Sequence, residues 1–329
     1  MSPFARVAVL GLGLVGGSLA RLLAARGIDV VGQDVDPASV AEASVAGLSA
    51  TGSVAEAVAG ADLVVLAVPL RAMRSTAAEL ARSVASTADA TLTDVGSVKG
   101  PVRQAMEAAG LGERYVGAHP MAGTEQSGFA ASSAELMHRA PWAVTVPGAG
   151  GSIAPERLER LLRLVTGPLG GTAAVLTDEV HDEAAALISH VPHVLATQLL
   201  NAVAGAPVRD AALRLAAGSF RDGTRVAFTD PSRTEAMVTE NAAWVTPALR
   251  KAVRDLEALV AALETNAPVH DFFHAADELR ALGRPGERTA SAEVLSVPLT
   301  GDWPSTLAAR CATGAVVVSL TDTEALLAR

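Results

Sequence analysis

One short stretch carries the strongest structural signal in the sequence: Val7-Ala8-Val9-Leu10-Gly11-Leu12-Gly13-Leu14-Val15-Gly16-Gly17. A Val-rich run that ends in a glycine cluster, followed by an Ala- and Leu-rich segment, predicts a strand, a tight turn and a helix. Gly11, Gly13 and Gly16 match the G-x-G-x-x-G fingerprint of dinucleotide-binding folds. In that fingerprint the first glycine permits the turn, the second lets the backbone approach a pyrophosphate, and the third lets the helix pack on the strand. The N-terminus of the helix offers free N–H groups to the phosphates.

The residue after the second predicted strand indicates which dinucleotide binds. Asp34 directly follows Val30-Val31-Gly32-Gln33, about 20 residues beyond the glycines, where an acidic side chain binds the ribose hydroxyls. No arginine follows Asp34 closely to accept a 2′-phosphate, so the sequence favours NAD over NADP. Two alternatives are a glycine-rich turn in another kind of α/β protein and the apolar core of a signal peptide. The glycines and Arg21 inside the segment argue against a signal peptide.

Length and composition limit the class of protein. The 329 residues suffice for two domains, and with only 3% aromatic residues the core must consist mainly of Ala, Val and Leu. A net charge of -9 argues against nucleic acid or a membrane surface as a partner. The sequence contains no apolar run long enough to cross a bilayer. The single cysteine, Cys311, excludes an intrachain disulfide, so we expect a cytoplasmic protein.

Alternating strand and helix signals predict a doubly wound parallel sheet, and we expect an α/β Rossmann domain over residues 1–177. Continuous Val-rich runs such as Leu63–Val68 are typical of strands buried on both faces of such a sheet. From residue 178 the pattern is helical, and residues 178–284 predict an all-α domain for substrate binding and dimerisation. Pro192 should kink the first helix of this domain.

A short α/β extension is expected over residues 285–329. The composition of Gly283–Gly286 predicts a linker before it, and Gly148–Ser152 predicts a flexible turn in the first domain. The sequence pattern of this extension predicts a strand, a helix, a second strand and a second helix, in that order. The first three of these cover Ala292–Val297, Trp303–Ala312 and Ala315–Leu320. This segment is too short for a convincing independent domain.

Polar side chains follow two of the predicted strands. Ser97 lies just beyond the strand that ends near Asp94, and His119 ends the short strand Val116–Pro120. Ligands bind outside the carboxyl ends of strands in open α/β sheets, so both side chains are candidates for acid–base work and substrate contact. The structural alternatives are a helix cap for Ser97 and a packed strand-end histidine for His119.

The first helix of the second domain is rich in histidine. His190 and His193 are three residues apart and share a helix face, whereas His181 and His190 lie on opposite faces of an ideal helix. This spacing disfavours a metal, and we predict no metal site. Substrate binding is the preferred interpretation, with helix packing as the alternative.

A third polar segment, Gly218–Arg225, contains Arg221 and Arg225 in what we interpret as a turn. Arginines in an acidic chain suit a carboxylate ligand, because the guanidinium binds carboxylates through paired hydrogen bonds. Solvated surface arginines are the alternative interpretation.

These motifs occur in a fixed order along the chain: Gly11–Ser18, Asp94–Lys99, His119–Gly128, Ser189–His193 and Asp222–Arg225. Together they closely resemble the prephenate/arogenate dehydrogenase family of tyrosine biosynthesis. The resemblance covers about residues 5–280 and does not clearly extend into the C-terminal extension.

The resemblance implies a reaction. Prephenate would lose a hydride from its ring carbinol carbon to NAD+ and its ring carboxylate as carbon dioxide, giving 4-hydroxyphenylpyruvate. Arogenate, which carries an amine in place of the keto group, is the alternative substrate and would give tyrosine. Separately from the resemblance, the long Ala- and Leu-rich helical region next to a nucleotide-binding domain predicts a homodimer.

The resemblance also implies roles for individual residues. His119 would accept the proton of the ring hydroxyl, so activity should fall as the pH drops through its pKa, and Ser97 would bond the same hydroxyl. Arg225 would pair with a substrate carboxylate, with Glu125 and Asp222 orienting it. The further substrate contacts expected are His193, Thr124, Ser189 and His190. The cofactor contacts expected are Gly11, Gly13, Leu14, Val15, Gly16, Asp34, Val68 and Pro69.

Two other classes of protein share parts of this pattern. A β-hydroxy-acid or imine dehydrogenase would use a catalytic lysine in the helical domain, where the sequence offers only Lys251. A non-catalytic NAD-sensing module would keep the glycines and could lose Ser97, His119 and Arg225. All three are present, which favours an enzyme.

Overall fold

The structure is a computed structural model and describes residues 2–83, 89–148, 151–283 and 294–329. Five parallel strands form the first sheet: β1 (Arg6–Leu10), β2 (Asp29–Gln33), β3 (Ser49–Thr51), β4 (Leu63–Leu66) and β5 (Thr91–Asp94). Their order is β3-β2-β1-β4-β5, so the strand order reverses between β1 and β4. The helices of this part are α1 (Leu14–Ala25), α2 (Pro37–Val45), α3 (Val54–Val58), α4 (Met73–Ser83) and α5 (Gly100–Ala108).

The sequence of the central strands explains why helices cover both faces of this sheet. Alternate residues of β1 and β4 point to opposite sides, so that Val9 and Val65 join one apolar cluster and Leu10 and Leu66 join the other. All four side chains are at most 1% exposed. This is the doubly wound arrangement expected from the Val-rich runs.

A second sheet follows the first along the chain. Its first strands are β6 (Gly117–Pro120), β7 (Pro141–Val146) and β8 (Thr172–Thr177), accompanied by α6 (Ala134–Met137) and α7 (Pro155–Thr166). β6 and β7 are antiparallel, whereas β7 and β8 are parallel. A parallel bridge between Leu92 and Tyr115 joins the chain just before β6 to β5 of the first sheet. The sequence did not indicate this change of strand direction. Ala149 and Gly150 of the expected turn lie outside the described residues.

Residues 178–283 are helical, as expected. The helices are α8 (Asp178–Ala185), α9 (Val191–Ala204), α10 (Arg209–Leu215), α11 (Gly218–Thr224), α12 (Pro231–Glu240), α13 (Ala242–Glu264), α14 (His270–His274) and α15 (Asp277–Ala281). A π-helical turn, Ala186–His190, joins α8 to α9. Pro192 lies in the first turn of α9, so the wider π-helical turn accommodates the missing N–H and the bulk of its ring.

The expectation of a polar turn at Gly218–Arg225 is wrong. These residues form α11, and Arg225 begins a short 3-10 helix, Arg225–Phe228. The Thr224 hydroxyl donates to the Phe220 carbonyl oxygen at 2.7 Å, inside the helix. Two glycines suggested a turn, but neither prevents helix formation where tertiary contacts hold the segment.

The C-terminal extension belongs to the second sheet. Its elements are β9 (Val294–Pro298), α16 (Trp303–Ala312), β10 (Val316–Leu320) and β11 (Glu324–Ala328), and the order of the sheet is β6-β7-β8-β10-β11-β9. Trp303, Val317 and Leu327 are buried in the same apolar cluster as Val9 of β1. The expected linker residues 284–286 and the first two residues of the expected strand, 292 and 293, lie outside the described residues.

The helix expected at the end of the chain is wrong, because Glu324–Ala328 is a strand. Ala325 and Leu327 are fully buried and their neighbours are partly exposed, which is the two-residue period of a strand. β11 pairs antiparallel with both β9 and β10, and these long-range hydrogen bonds override the helix preference of Ala and Leu. In the described part of the chain, no helix is both long and apolar enough to span a bilayer.

Candidate active site

The glycine turn lies at the reversal point of the first sheet, where Gly11 follows β1 and Ala67 follows β4. A Cβ at Gly11, which has a φ of +100°, would lie 2.5 Å from the Ala67 carbonyl oxygen. A Cβ at Gly16 would lie 2.0 Å from the Gly11 carbonyl oxygen, so α1 packs directly on the turn. A Cβ at Gly13 would meet nothing within 4 Å. The backbone at Gly13 is therefore open on the side where a pyrophosphate could approach.

The acidic residue beyond β2 is fixed against this turn. Asp34 is partly buried, and its Oδ2 accepts from the Leu12 N–H at 2.7 Å while its Oδ1 accepts from the Asp36 N–H at 2.9 Å. Asp36 carries a second carboxylate here and caps α2 through the Ala38 N–H. Each Asp34 oxygen keeps a free lone pair for a ribose hydroxyl. The open glycine turn and this fixed carboxylate fit a dinucleotide.

The other expected cofactor contacts border the same opening. Leu14 and Val15 form the first turn of α1, and Val68 and Pro69 follow β4. A Cβ at Gly11 would lie 3.0 Å from the Val68 backbone nitrogen, so the segment after β4 touches the glycine turn. Their assignment as cofactor contacts stays a prediction.

A buried ionic cluster lies beneath the end of β5. Lys99 is fully buried, and its Nζ donates to the Asp94 carboxylate and, at 2.7 Å, to the Ala118 carbonyl oxygen. Asp94 also accepts from the Tyr115 hydroxyl at 2.7 Å and from the Ala118 N–H at 3.3 Å. Burial lowers the pKa of Lys99 below its usual value, although the Asp94 carboxylate opposes this. The cluster holds both polar groups of the Ala118 backbone, and so fixes the strand just before His119.

His119 lies at the end of β6 in a chain of side chains that the sequence did not predict. Its Nδ1 is 3.0 Å from Nε2 of His181, and Nδ1 of His181 is 2.8 Å from Oδ1 of Asp182. Burial lowers the pKa of His119 well below its usual value, and the positive charge of nearby Lys99 lowers it further. His119 is therefore neutral at neutral pH, as a general base must be.

Ser97 does not act as a helix cap. It is partly exposed, and within the described part of the chain its hydroxyl has no hydrogen-bond partner. α5 is capped instead by Asp182 of α8, whose two carboxylate oxygens accept from the N–H groups of Lys99 and Gly100 at 2.7 and 2.9 Å. The Ser97 hydroxyl is thus available to a ligand.

The π-helical turn changes the arrangement of histidines expected from an ideal helix. Asn241 Nδ2 contacts both the Asp182 carbonyl oxygen at 2.8 Å and His190 Nδ1 at 3.0 Å, so one amide links α8 to the π-helical turn. His190 is fully buried, and burial lowers its pKa to about 4. His193 and Ser189 are only partly buried, and His193 Nδ1 donates to the Ser189 carbonyl oxygen at 2.8 Å. Of the three, His190 has the most enclosed side chain.

The remaining candidate residues lie on exposed segments. Thr124, Glu125, Asp222 and Arg225 are all exposed. The structure does not bring Glu125 or Asp222 into an ion pair with Arg225 within the residues it describes. Their assignment as its partners stays a prediction.

Two contacts connect the loop after β6 and the 3-10 turn just before α4 with the helical domain. Arg233 of α12 donates to the Gln126 carbonyl oxygen at 3.4 Å, and Glu235 pairs with Arg71 at 2.8 Å. Over the described ranges, no group of three or more His, Cys, Asp and Glu side chains is arranged to hold a metal ion.

A nicotinamide-dependent dehydrogenase requires two parts, a site for the dinucleotide and a group that accepts a proton. The glycine turn fits the first, and the neutral histidine at the strand end fits the second. Comparison with known proteins identifies which group of dehydrogenases this is. Residues 19–170 match the family model described as prephenate dehydrogenase, nucleotide-binding domain. Residues 177–276 match the model described as prephenate dehydrogenase, dimerization domain. The chain belongs to the prephenate dehydrogenase family.

Individual relatives agree with this. The chain is 36% identical to a cyclohexadienyl dehydrogenase of Zymomonas mobilis over 269 residues, which cover 80% of this chain and 90% of the relative. A prephenate dehydrogenase from A. aeolicus, solved with hydroxyphenyl propionate and NAD+, is 30% identical with a TM-score of 0.74, covering 85% of this chain and 96% of that one.

A protein from Corynebacterium glutamicum, provisionally assigned as a prephenate dehydrogenase, is 33% identical with a TM-score of 0.78. The match covers 94% of this chain and 96% of that chain. Since the uncovered 6% of 329 residues is about 20 residues, the similarity includes part of the C-terminal extension.

Proposed function

We propose that this protein oxidises prephenate to 4-hydroxyphenylpyruvate and carbon dioxide, with NAD+ as the hydride acceptor, in tyrosine biosynthesis. The observation that carries the proposal is His119, which is neutral and partly exposed at the end of β6 and has only one ring nitrogen bonded to the protein. Membership of the prephenate dehydrogenase family supports the choice of substrate.

His119 and Ser97 act together on the ring hydroxyl. Nε2 of His119 accepts the hydroxyl proton while the carbinol carbon loses a hydride, and Ser97 bonds the same oxygen. When bound, NAD+ supplies the acceptor for that hydride. The bond to the ring carboxylate then breaks, carbon dioxide leaves, and the electron pair completes the aromatic ring as a phenolate, which recovers the proton from His119. The low pKa of His119 keeps it ready to accept the proton at neutral pH.

The environment of Asp34 favours NAD+ over NADP+. The Asp34 carboxylate accepts from the Asp36 backbone N–H at 2.9 Å, which places a second acidic residue next to it. A 2′-phosphate at this position would face both negative charges, whereas a ribose hydroxyl can donate to Asp34.

Substitution of two glycines separates cofactor binding from folding. Gly16→Ala should destabilise the protein by about 3 kcal/mol, because its methyl group would overlap the Gly11 carbonyl oxygen. Gly13→Ala should change stability by less than about 0.5 kcal/mol, since its φ of -69° suits alanine and its surroundings are open. It should nevertheless weaken NAD+ binding about tenfold by occupying the pyrophosphate side. Thermal unfolding and NAD+ titration measure the two effects. Equal effects of both variants on stability would contradict this assignment.

Arg225 is the substrate-carboxylate ligand of the proposal. Arg225→Ala should raise the KM for prephenate about 30- to 100-fold and lower kcat less than about threefold, because a charge-assisted hydrogen bond to substrate is lost. The matched control is Arg221→Ala, which removes an exposed arginine about one helical turn earlier and should leave both constants unchanged. If Arg225→Ala and Arg221→Ala have the same KM, Arg225 does not bind the substrate.

The helical domain pairs two copies of the chain in this proposal. Several large apolar side chains of α9, α13 and the π-helical turn are 40–70% exposed in one chain: Leu187, Ile188, Leu195, Leu199, Leu256, Val260 and Leu263. A second copy would remove this apolar surface from water.

We retain 1–177, 178–284 and 285–329 as the proposed division of the chain, with strands of the last segment extending the second sheet of the first segment. The single buried cysteine suits a cytoplasmic protein.

Four assays with purified protein test the function. NADH or NADPH absorbance is followed with prephenate or arogenate and with NAD+ or NADP+. Prephenate with NAD+ should react fastest. Faster reaction with arogenate would change the substrate assignment, and no reaction in any pairing would support a non-catalytic NAD-binding protein instead.

A further inference from the structure

We propose that His181 and Asp182 position His119 by fixing which of its ring nitrogens carries the proton. The inference rests on the proposed role of His119 as the base. It concerns two residues of α8 that do not need to touch the substrate.

The argument starts at Asp182, whose carboxylate can only accept in this environment. Its side chain is 4% exposed. Oδ1 accepts from the Lys99 N–H at 2.7 Å, and Oδ2 accepts from the Gly100 N–H at 2.9 Å. Backbone amides always donate, so both oxygens are held as acceptors. A nitrogen that contacts Oδ1 must therefore carry a proton.

That nitrogen is Nδ1 of His181, at 2.8 Å from Asp182 Oδ1. A neutral imidazole has one protonated nitrogen and one acceptor nitrogen. With the proton on Nδ1, Nε2 of His181 is an acceptor. It faces Nδ1 of His119 at 3.0 Å.

His119 must then carry its proton on Nδ1. The other tautomer would place two lone pairs against each other at 3.0 Å. Nε2 of His119 is left without a proton, and within the described part of the chain it has no protein partner. The pair His181–Asp182 thus leaves the lone pair of His119 on the nitrogen that is free to meet the substrate hydroxyl.

The contacts that link His119 to His181 and Asp182 also favour transfer of the substrate proton to His119. Once Nε2 of His119 accepts a proton, the ring becomes positive and its Nδ1–H donates more strongly to His181. The Asp182 carboxylate compensates part of this charge from the far side of His181. The neighbouring Lys99 ammonium, paired with Asp94, opposes the charge, whereas the neutral His190 adds none. Asp182 also caps α5, so one carboxylate fixes the start of the helix that follows Ser97 and, through His181, the ring of His119.

Two independent readouts test this positioning role. Histidine-selective ¹⁵N NMR of the full chain reports the protonated nitrogen of each ring, and His119→Asn identifies the signal of His119 by removing it. The expected result is His119 with a proton on Nδ1 and none on Nε2. A wild-type His119 protonated on Nε2 overturns the proposal, whether or not the protein turns over prephenate.

Kinetics of His181 variants give the second readout. His181→Phe should lower kcat about 100-fold with KM for prephenate within about twofold of wild type, since the tautomer is no longer fixed. His181→Gln, whose amide oxygen can still accept from His119, should recover kcat to within about tenfold of wild type. Wild-type kcat in His181→Phe, or equal losses in both variants, overturns the proposal. If His181→Phe fails to fold, the wild-type NMR measurement still decides.

Discussion

Replacing His119 with asparagine is expected to lower kcat about 1,000-fold, with the KM for prephenate and for NAD+ within about threefold of wild type. Asparagine can keep a donor near the position of Nδ1 and so retain the contact with His181, but it cannot accept a proton at neutral pH. The loss should therefore appear in the chemical step rather than in binding. Steady-state kinetics with varied prephenate and varied NAD+ separates the two.

The pH dependence of this variant provides a second criterion. A histidine with its ordinary pKa near 6.5 would place the acidic decline of kcat/KM at that pH. Burial and the Lys99 ammonium lower the pKa of His119, so the wild-type decline should lie below pH 6.5 and be absent from His119→Asn. His138→Asn, a histidine of the same domain outside the site, is the control and should behave as wild type. Wild-type kcat in His119→Asn would remove His119 from the mechanism.

Replacing Lys99 with methionine is expected to lower the free energy of unfolding by about 3–5 kcal/mol, because it leaves the Asp94 carboxylate buried without its cationic partner. Both side chains are fully buried, so water cannot substitute for the lost ammonium. The protein offers a matched control in its only other lysine. Lys251 is exposed and pairs with Asp255 on the surface of α13, so Lys251→Met should change stability by less than about 1 kcal/mol.

Chemical denaturation at one protein concentration measures both lysine variants, since the stability of a dimer depends on concentration. Adding Asp94→Asn to Lys99→Met should recover part of the loss, because the uncompensated charge is removed. Equal stability of Lys99→Met and Lys251→Met would show that the cluster beneath β5 does not hold the strand before His119.

Features that depend on neighbouring residues could be predicted from the sequence. The glycine turn is one, because the same few residues supply the strand, the turn and the helix that need the glycines. The position of His119 at a strand end is another. The final strand could not be predicted, because Glu324–Ala328 is extended only through pairing with β9 and β10. The arrangement of His181 and His190 depends on the π-helical turn, which a pattern based on an ideal helix does not reveal.

The part of the candidate site that escaped prediction consists of long-range contacts. His119 and His181 are 62 residues apart in the sequence, and Lys99 and Asp182 are 83 apart. Nothing in the residues around His181, Asp182 or Lys99 indicates that these contacts form. One indication was available, since Lys99 is one of only two lysines and lies in an apolar stretch after a strand. A buried lysine requires a partner, and the nearby Asp94 was the candidate.

The decisive measurement is NADH formation by wild type and His119→Asn, side by side, at saturating prephenate and NAD+. Wild type should release one NADH and one carbon dioxide for each prephenate consumed. His119→Asn should bind NAD+ with wild-type affinity and turn over about 1,000-fold more slowly. No NADH from wild type, or equal rates from both proteins, would contradict the assignment of His119 as the base of a prephenate dehydrogenase.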